Sequence, residues 1–285
     1  MFQNKKKPRN YRRCPLCHHI HDGSLDTCPR CNQPSVGPQL SSRFPNVIQI
    51  HWIKQIFLFL IGWGGLTLVS LIVSLFFVYY ANNNIADEIQ REAYLTSHKV
   101  SIMLNLITYS TLFVGLLGLL WKDLLIVLRS FKRLRSIAVG IAYGFAVMAS
   151  VIIYNLIIIY SGIEMSDNQN ESAIVAMMTS YPVMSLIAFV VLGPIVEEMT
   201  YRLGLFSLIH RLNRPLAYVV TMLVFGVIHM SFNPETIINE LINLPSYILA
   251  GTILTIAYER EGFAVSTYAH ITNNLISFLL TTFQS

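Results

Sequence analysis

Three short clusters of ionisable and amide side chains interrupt long apolar stretches, where lipid offers a charge no water to pair with. The first reads Glu197-Glu198-Met-Thr-Tyr-Arg202, just downstream of Gly193-Pro194. Adjacent helical residues lie ~100° apart, so the two carboxylates cannot face one partner. Glu198 and Arg202, at i and i+4, can pair on one face, which leaves Glu197 pointing away from the arginine. Gly193-Pro194 can kink the helix and free a carbonyl. The second cluster is Phe225-x-x-x-His229, and the third is His270-x-x-Asn273-Asn274, with His270 and Asn274 on one face. An acidic oxygen, imidazoles and amide donors can together activate water and hold an oxyanion. The same groups can also tie helices together or relay protons. Two histidines and a glutamate can hold a catalytic zinc, although no His-Glu-x-x-His is present. Buried polar groups must find one another, so one interior cavity shared by three helices is the expectation.

A different chemistry sits at the N-terminus. Cys14-Pro-Leu-Cys17 and Cys28-Pro-Arg-Cys31 are the only cysteines in the chain. Each Cys-x-x-Cys knuckle aims two thiolates at one centre, and two knuckles close a tetrahedral structural zinc site. Asp22-Gly23 in the spacer suits the turn of a small hairpin. A segment this short has too little core to fold without the ion. His18, His19 and His21 beside the second thiolate read as solvated side chains, because four thiolates already suffice. The segment resembles the zinc ribbons at the ends of many bacterial membrane proteins. Its basic residues serve topology, or a protein partner of the ribbon, better than nucleic acid.

The elements that position these clusters are membrane spans. Hydrophobic residues make up 54% of the 285-residue chain and charged ones only 12%, about half the charge of a soluble domain. No apolar core of a secretory signal follows the basic start. A span needs about 20 apolar residues, and seven segments qualify: 53–80, 100–121, 136–162, 181–201, 215–230, 241–258 and 262–283. With the N-terminus in the cytosol, every one of the 20 basic residues except Arg91 and Lys99 falls on the inner side, as the positive-inside rule asks. A re-entrant turn at 231–240 would reverse the C-terminus. The stretch 122–135 reads either as an amphipathic helix on the inner leaflet or as an ordinary basic loop. The fold class is therefore all-α, a polytopic transmembrane bundle of about seven spans with a small N-terminal zinc ribbon. Residues 1–32 are the basic start and ribbon, 33–52 a linker with four prolines and glycines among its first thirteen residues, and 53–285 the bundle.

The three clusters together resemble the intramembrane proteases that include the CAAX prenyl endopeptidase and the bacteriocin self-immunity proteins. Their signatures, Glu-Glu-x-x-x-Arg, Phe-x-x-x-His and His-x-x-x-Asn, stand here in order as EEMTYR, FGVIH and HITNN. The likeness covers 181–285, a protease-like core. The family often reads Phe-Arg-Gly where this chain has Tyr201-Arg202-Leu203, a departure that touches packing more than chemistry. The resemblance implies an endopeptidase with Glu197 as general base for a water. Glu198 and Arg202 then hold the helix and local charge. His229 bonds the water or the developing oxyanion, and His270 and Asn274 complete the oxyanion site. It implies a peptide or membrane-protein substrate and a lipid surrounding, and leaves open whether catalysis needs a metal. The expected location is a bacterial plasma membrane, crossed many times. Competing readings are a non-catalytic scaffold or immunity protein and, with no two-fold repeat to support it, an ion or proton transporter. One conflict stands in these boundaries: counted from residue 215, His229 falls near the outer face, away from Glu197 and His270.

Overall fold

The structure, a computed structural model, describes residues 11–14, 19–32, 39–40, 46–48, 50–166 and 168–284. It is a multi-pass helical membrane bundle. Its helices are α1 (Trp52–Asn84), α2 (Glu88–Leu95), α3 (His98–Leu119), α4 (Leu124–Phe131) and α5 (Leu134–Tyr160). They continue with α6 (Gln169–Ser180), α7 (Pro182–His210), α8 (Arg214–Val227), α9 (Ile237–Glu261) and α10 (Phe263–Gln284). Side chains supply the helix starts: Asp87, Ser97, Asn168 and Asn213 cap α2, α3, α6 and α8 by accepting from backbone N–H groups. Gly262, at φ 103°, turns α9 directly into α10, in a left-handed conformation that suits glycine.

By length and composition, α1, α3, α5, α7 and α9 can each cross a membrane. The two other expected spans differ from these. α10 has the length, 22 residues, but carries His270, Asn273 and Asn274. α8 has only 14 residues and rises ~21 Å, short of the ~30 Å hydrocarbon. The depth conflict is resolved by packing: the Phe225 ring near the end of α8 lies 4.9 Å from the His229 ring and 5.9 Å from the His270 ring. The backbone after α8 is non-helical, which membrane depth tolerates where protein buries it. Here the buried Glu240 carboxylate accepts from Ser231 N and Gln169 N, at 3.0 and 2.9 Å, and Asn168 donates to His229 O at 3.3 Å. The suspected segment 231–240 is thus a loop followed by the first turn of α9.

α7 is the inner helix. Of its most apolar window 56% is buried within the protein, against 11% for α1, whose Leu68, Leu71, Ile72, Leu75 and Phe76 are exposed toward lipid. α7 presses on α1 with backbones nearly touching: a Cβ on Gly204 would lie 2.9 Å from Phe59 N. α5 meets α10 in the same way through Gly140 and Gly144, a small-x-x-x-small pair of the kind that lets membrane helices approach. A Cβ on Gly144 would lie 2.8 Å from Ala269 O, so this contact sets the height and rotation of α10 at His270. The expected linker also has structure in its last part. Val47, Ile48 and Ile50 are buried in the main apolar core, Ile48 N donates to Tyr258 Oη at 3.2 Å, and Arg211 donates to Ile50 O. Residues 122–135 contain the short helix α4, fixed by a Lys54–Asp123 ion pair at 2.7 Å and by Tyr268 Oη donating to Phe131 O at 2.8 Å.

The N-terminal knob is a three-stranded sheet in the order β2-β1-β3, from Tyr11–Arg13, Ile20–Asp22 and Gln39–Leu40. Strands β1 and β2 pair antiparallel, Tyr11 opposite Asp22. In sequence the chain between them carries the first Cys-x-x-Cys pair, so the Asp22-Gly23 turn follows β2 rather than joining the hairpin. Asp22 closes that turn by accepting from Ser24 N at 3.0 Å and Ser24 Oγ at 2.8 Å.

Candidate active site

Proline dictates the shape of the helix that carries the first cluster. Pro194 has no N–H and its ring crowds the preceding turn. α7 widens there into a π-helical stretch, Leu186–Leu192, and again over Glu198–Phe206. π stretches are rare and frequent at functional sites. Widening leaves carbonyls without their usual α-helical partners, and side chains take them up. Asn274 Nδ2 donates to Phe189 O at 2.9 Å, and Ser207 Oγ donates to Arg202 O at 2.7 Å.

Glu198 and Arg202 are fully buried, with Oε1 3.0 Å from NH1, an ion pair off the hydrogen-bonding direction. Arg202 NH2 donates to Gly251 O at 3.2 Å, and the guanidinium lies 4.6 Å from the Phe225 ring centre. His270 Nδ1 reaches Glu198 Oε1 at 3.0 Å. A carboxylate beside an arginine only accepts, so this bond places the imidazole proton on Nδ1 and leaves the Nε2 lone pair outward. That nitrogen faces Glu197 Oε2 at 3.8 Å. Oε2 is buried and has no protein hydrogen-bond partner. Glu197 and Glu198 therefore lie in different settings, one locked in an ion pair and one with an oxygen open to a reactant.

His229 joins through the phenylalanine of its own motif. Phe225 lies 4.9 Å from the His229 ring and 5.9 Å from the His270 ring, centre to centre. His229 Nδ1 sits 2.7 Å from Phe225 O, which fixes the proton on Nδ1 and frees Nε2 as an acceptor. Its ring stacks on Tyr247 at 4.7 Å, and Tyr247 Oη accepts from Asn168 Nδ2 at 2.9 Å. Asn274 lies one turn beyond His270, its amide nitrogen on Phe189 O and its oxygen accepting from Asn273 Nδ2 at 3.1 Å. One amide hydrogen of Asn274 remains for another acceptor. Thus Glu197, Glu198, Arg202 and His270 meet directly, His229 shares their aromatic wall, and Asn274 holds the π stretch beside them. Tyr109, on α3, escaped sequence reasoning. Its phenol packs against α7 one turn before Glu197, where a Cβ on Gly193 would lie 3.6 Å from Tyr109 Cζ, and a lone tyrosine in an apolar stretch carries no motif to mark it.

At the N-terminal knob, Sγ atoms of Cys14, Cys28 and Cys31 lie within 4.8 Å of one another, with Cys14 and Cys31 3.4 Å apart. Cys17 lies outside the described residues. Three converging thiolates suit a tetrahedral metal, so these residues can hold an ion. His21 is buried rather than solvated, at 4% exposure, with Nδ1 3.3 Å from His19 O; His18 lies outside the described residues.

A carboxylate pair, two imidazoles and an arginine thus form one buried polar cluster among the membrane helices. Residues 179–276 match the family model described as type II CAAX prenyl endopeptidase Rce1-like. The match spans about a third of the chain, over the segment that carries the three clusters, and supports a CAAX-protease-like intramembrane peptidase. No curated protein and no solved structure matches the chain.

Proposed function

We propose that the chain is an intramembrane endopeptidase that hydrolyses a peptide bond with a water activated by Glu197. The observation that supports this most is the facing pair of acceptors, Glu197 Oε2 and His270 Nε2, 3.8 Å apart. A water about 2.8 Å from each can donate one hydrogen to both. In the reaction, the water oxygen attacks the carbonyl carbon while its proton passes to Glu197. The carbonyl oxygen takes the negative charge, which the remaining Asn274 amide hydrogen and the neighbouring donors stabilise. The carbon–nitrogen bond then breaks as the proton moves from Glu197 to the leaving nitrogen, giving an acid and an amine. Glu198 and Arg202 take no proton in this scheme. They hold His270 in the tautomer whose lone pair orients the water.

The family's name points to peptides ending in a prenylated CAAX sequence, and such lipid-bearing peptides are the proposed substrate class. The three cysteines, with Cys17 as the fourth ligand, would hold a structural zinc, which fastens the knob. The basic residues favour a cytosolic N-terminus, a bacterial plasma membrane is the proposed setting, and a protein partner is proposed for the ribbon. The test is mass spectrometry of membrane peptides from cells with wild type and with Glu197→Gln. Fragments lost in the variant, at equal protein level, support the peptidase. Unchanged fragments overturn it and favour a scaffold. A change confined to ion flux across sealed vesicles favours transport.

A further inference from the structure

α7 carries a stripe at four-residue spacing, Gly193, Glu197 and Tyr201, so the three share a face. The face looks toward Tyr109 of α3. A Cβ on Gly193 would lie 3.6 Å from Tyr109 Cζ, which places the phenol against α7 one turn before Glu197. Packing alone would be served equally by phenylalanine at 109, yet this phenol presents its hydroxyl-bearing carbon to α7 one turn before Glu197.

Tyr201 is stranger. Its side chain is fully buried, its ring stands edge-on to Phe225 at 5.8 Å, and its hydroxyl has no protein hydrogen-bond partner. It stands one turn beyond Glu197 on the same face of α7. A buried hydroxyl left unpaired costs about 1–3 kcal/mol. Sequence reasoning assigned residue 201 to packing, and packing does not explain that cost. A donor held unpaired beside an unpaired carboxylate oxygen is the arrangement of a site that awaits a reacting group.

We infer that Tyr109 and Tyr201 belong to the reaction machinery: Tyr109 positions Glu197 by donating to it, and Tyr201 donates to the reacting oxygen. The inference rests on the peptidase reading of Glu197. With Tyr109 holding one carboxylate oxygen, the other keeps its direction toward the water. Tyr201, one turn further along the same face, meets the water before attack or the oxyanion after it. Neither phenol gives up its proton, so the hydrolytic balance is unchanged.

The experiment uses the full-length protein in proteoliposomes. Its probe is a synthetic copy of a peptide whose cleavage differs between wild type and Glu197→Gln in the membrane-peptide comparison. Steady-state rates are measured for Tyr201→Phe and Tyr109→Phe, with the unfolding midpoint in SDS as control. Tyr201→Phe is expected to lower kcat about a hundredfold, as loss of one oxyanion donor does, with KM nearly unchanged and a midpoint no lower than wild type. Tyr109→Phe is expected to lower kcat about tenfold, less than the contribution, about 10²–10⁴-fold, of the general base it positions. A stable Tyr201→Phe with wild-type kcat, beside an inactive Glu197→Gln, overturns the role of Tyr201 and leaves the peptidase standing. The same result for Tyr109→Phe overturns its positioning role. If Glu197→Gln cleaves like wild type, or no peptide differs, both the peptidase reading and this inference fall.

Discussion

Arg202 is the buried charge whose removal tests the logic of the site most sharply. Its side chain is fully enclosed, pairs with Glu198 Oε1 at 3.0 Å, donates to Gly251 O at 3.2 Å and covers the Phe225 ring. Arg202→Met fills much of the same space with an apolar chain. It leaves the Glu198 carboxylate, also fully enclosed, with only neutral polar neighbours, His270 and Ser266. Breaking a buried pair by removing one partner costs about 3–5 kcal/mol, and the bare Gly251 carbonyl adds to the loss. Relief of the arginine's own desolvation is already within that range, so the expected destabilisation is about 4 kcal/mol. Adding Glu198→Gln removes the stranded charge while its amide oxygen still accepts from His270 Nδ1. The double variant should therefore recover most of the loss, to within about 1–2 kcal/mol of wild type. The assay is reversible unfolding of the detergent-solubilised protein with SDS, followed by helical circular dichroism. A single variant that costs under about 1 kcal/mol, or a double variant as unstable as the two singles added, would refute the view that these charges are held by each other.

Other outcomes follow from the same contacts. Asn274→Leu leaves Phe189 O without its donor and should cost about 1–3 kcal/mol, read by the same SDS titration. Gly144→Val drives a side chain into Ala269 O and Thr272, 2.8 and 2.6 Å from its Cβ. It should lower stability by about 1–3 kcal/mol and cut peptide cleavage by displacing His270, whereas Gly118→Val, with nothing within 4 Å, should do neither. Purified protein should carry one zinc per chain by elemental analysis, lost in Cys28→Ser, while the helical bundle keeps its unfolding midpoint.

Much of the bundle was legible because charge is expensive in lipid. The long apolar runs outline α1, α3, α5 and α9 within about four residues, whereas α7 continues to His210, well past the expected end at 201; the clusters at 197–202, 225–229 and 270–274 stand out as interruptions. The end of α8 was not legible. Ile228 and Met230 are as apolar as the helix before them, and the partners of the turn come from afar: Asn168 donates to His229 O and Glu240 accepts from Ser231 N. The π stretches of α7 could be anticipated only as a disturbance at Gly193-Pro194, since widening and kinking both answer a missing N–H. Gly140 and Gly144 show the spacing of a packing motif, but nothing local says that α10 is the partner. Val47, Ile48 and Ile50 follow a run of prolines and glycines, so their burial against Tyr258 and α7 is a property of the tertiary fold. Tyr109 lies some ninety residues from the carboxylate it faces, and spacing arguments do not reach that far.

The central claim is that one carboxylate, Glu197, activates the water. It is tested most directly by the single-turnover rate of peptide cleavage for Glu197→Gln against wild type in proteoliposomes, at matched unfolding midpoints. The account predicts a loss of about 10²–10⁴-fold, the worth of a general base. A variant that is equally folded and cleaves at the wild-type rate would contradict it.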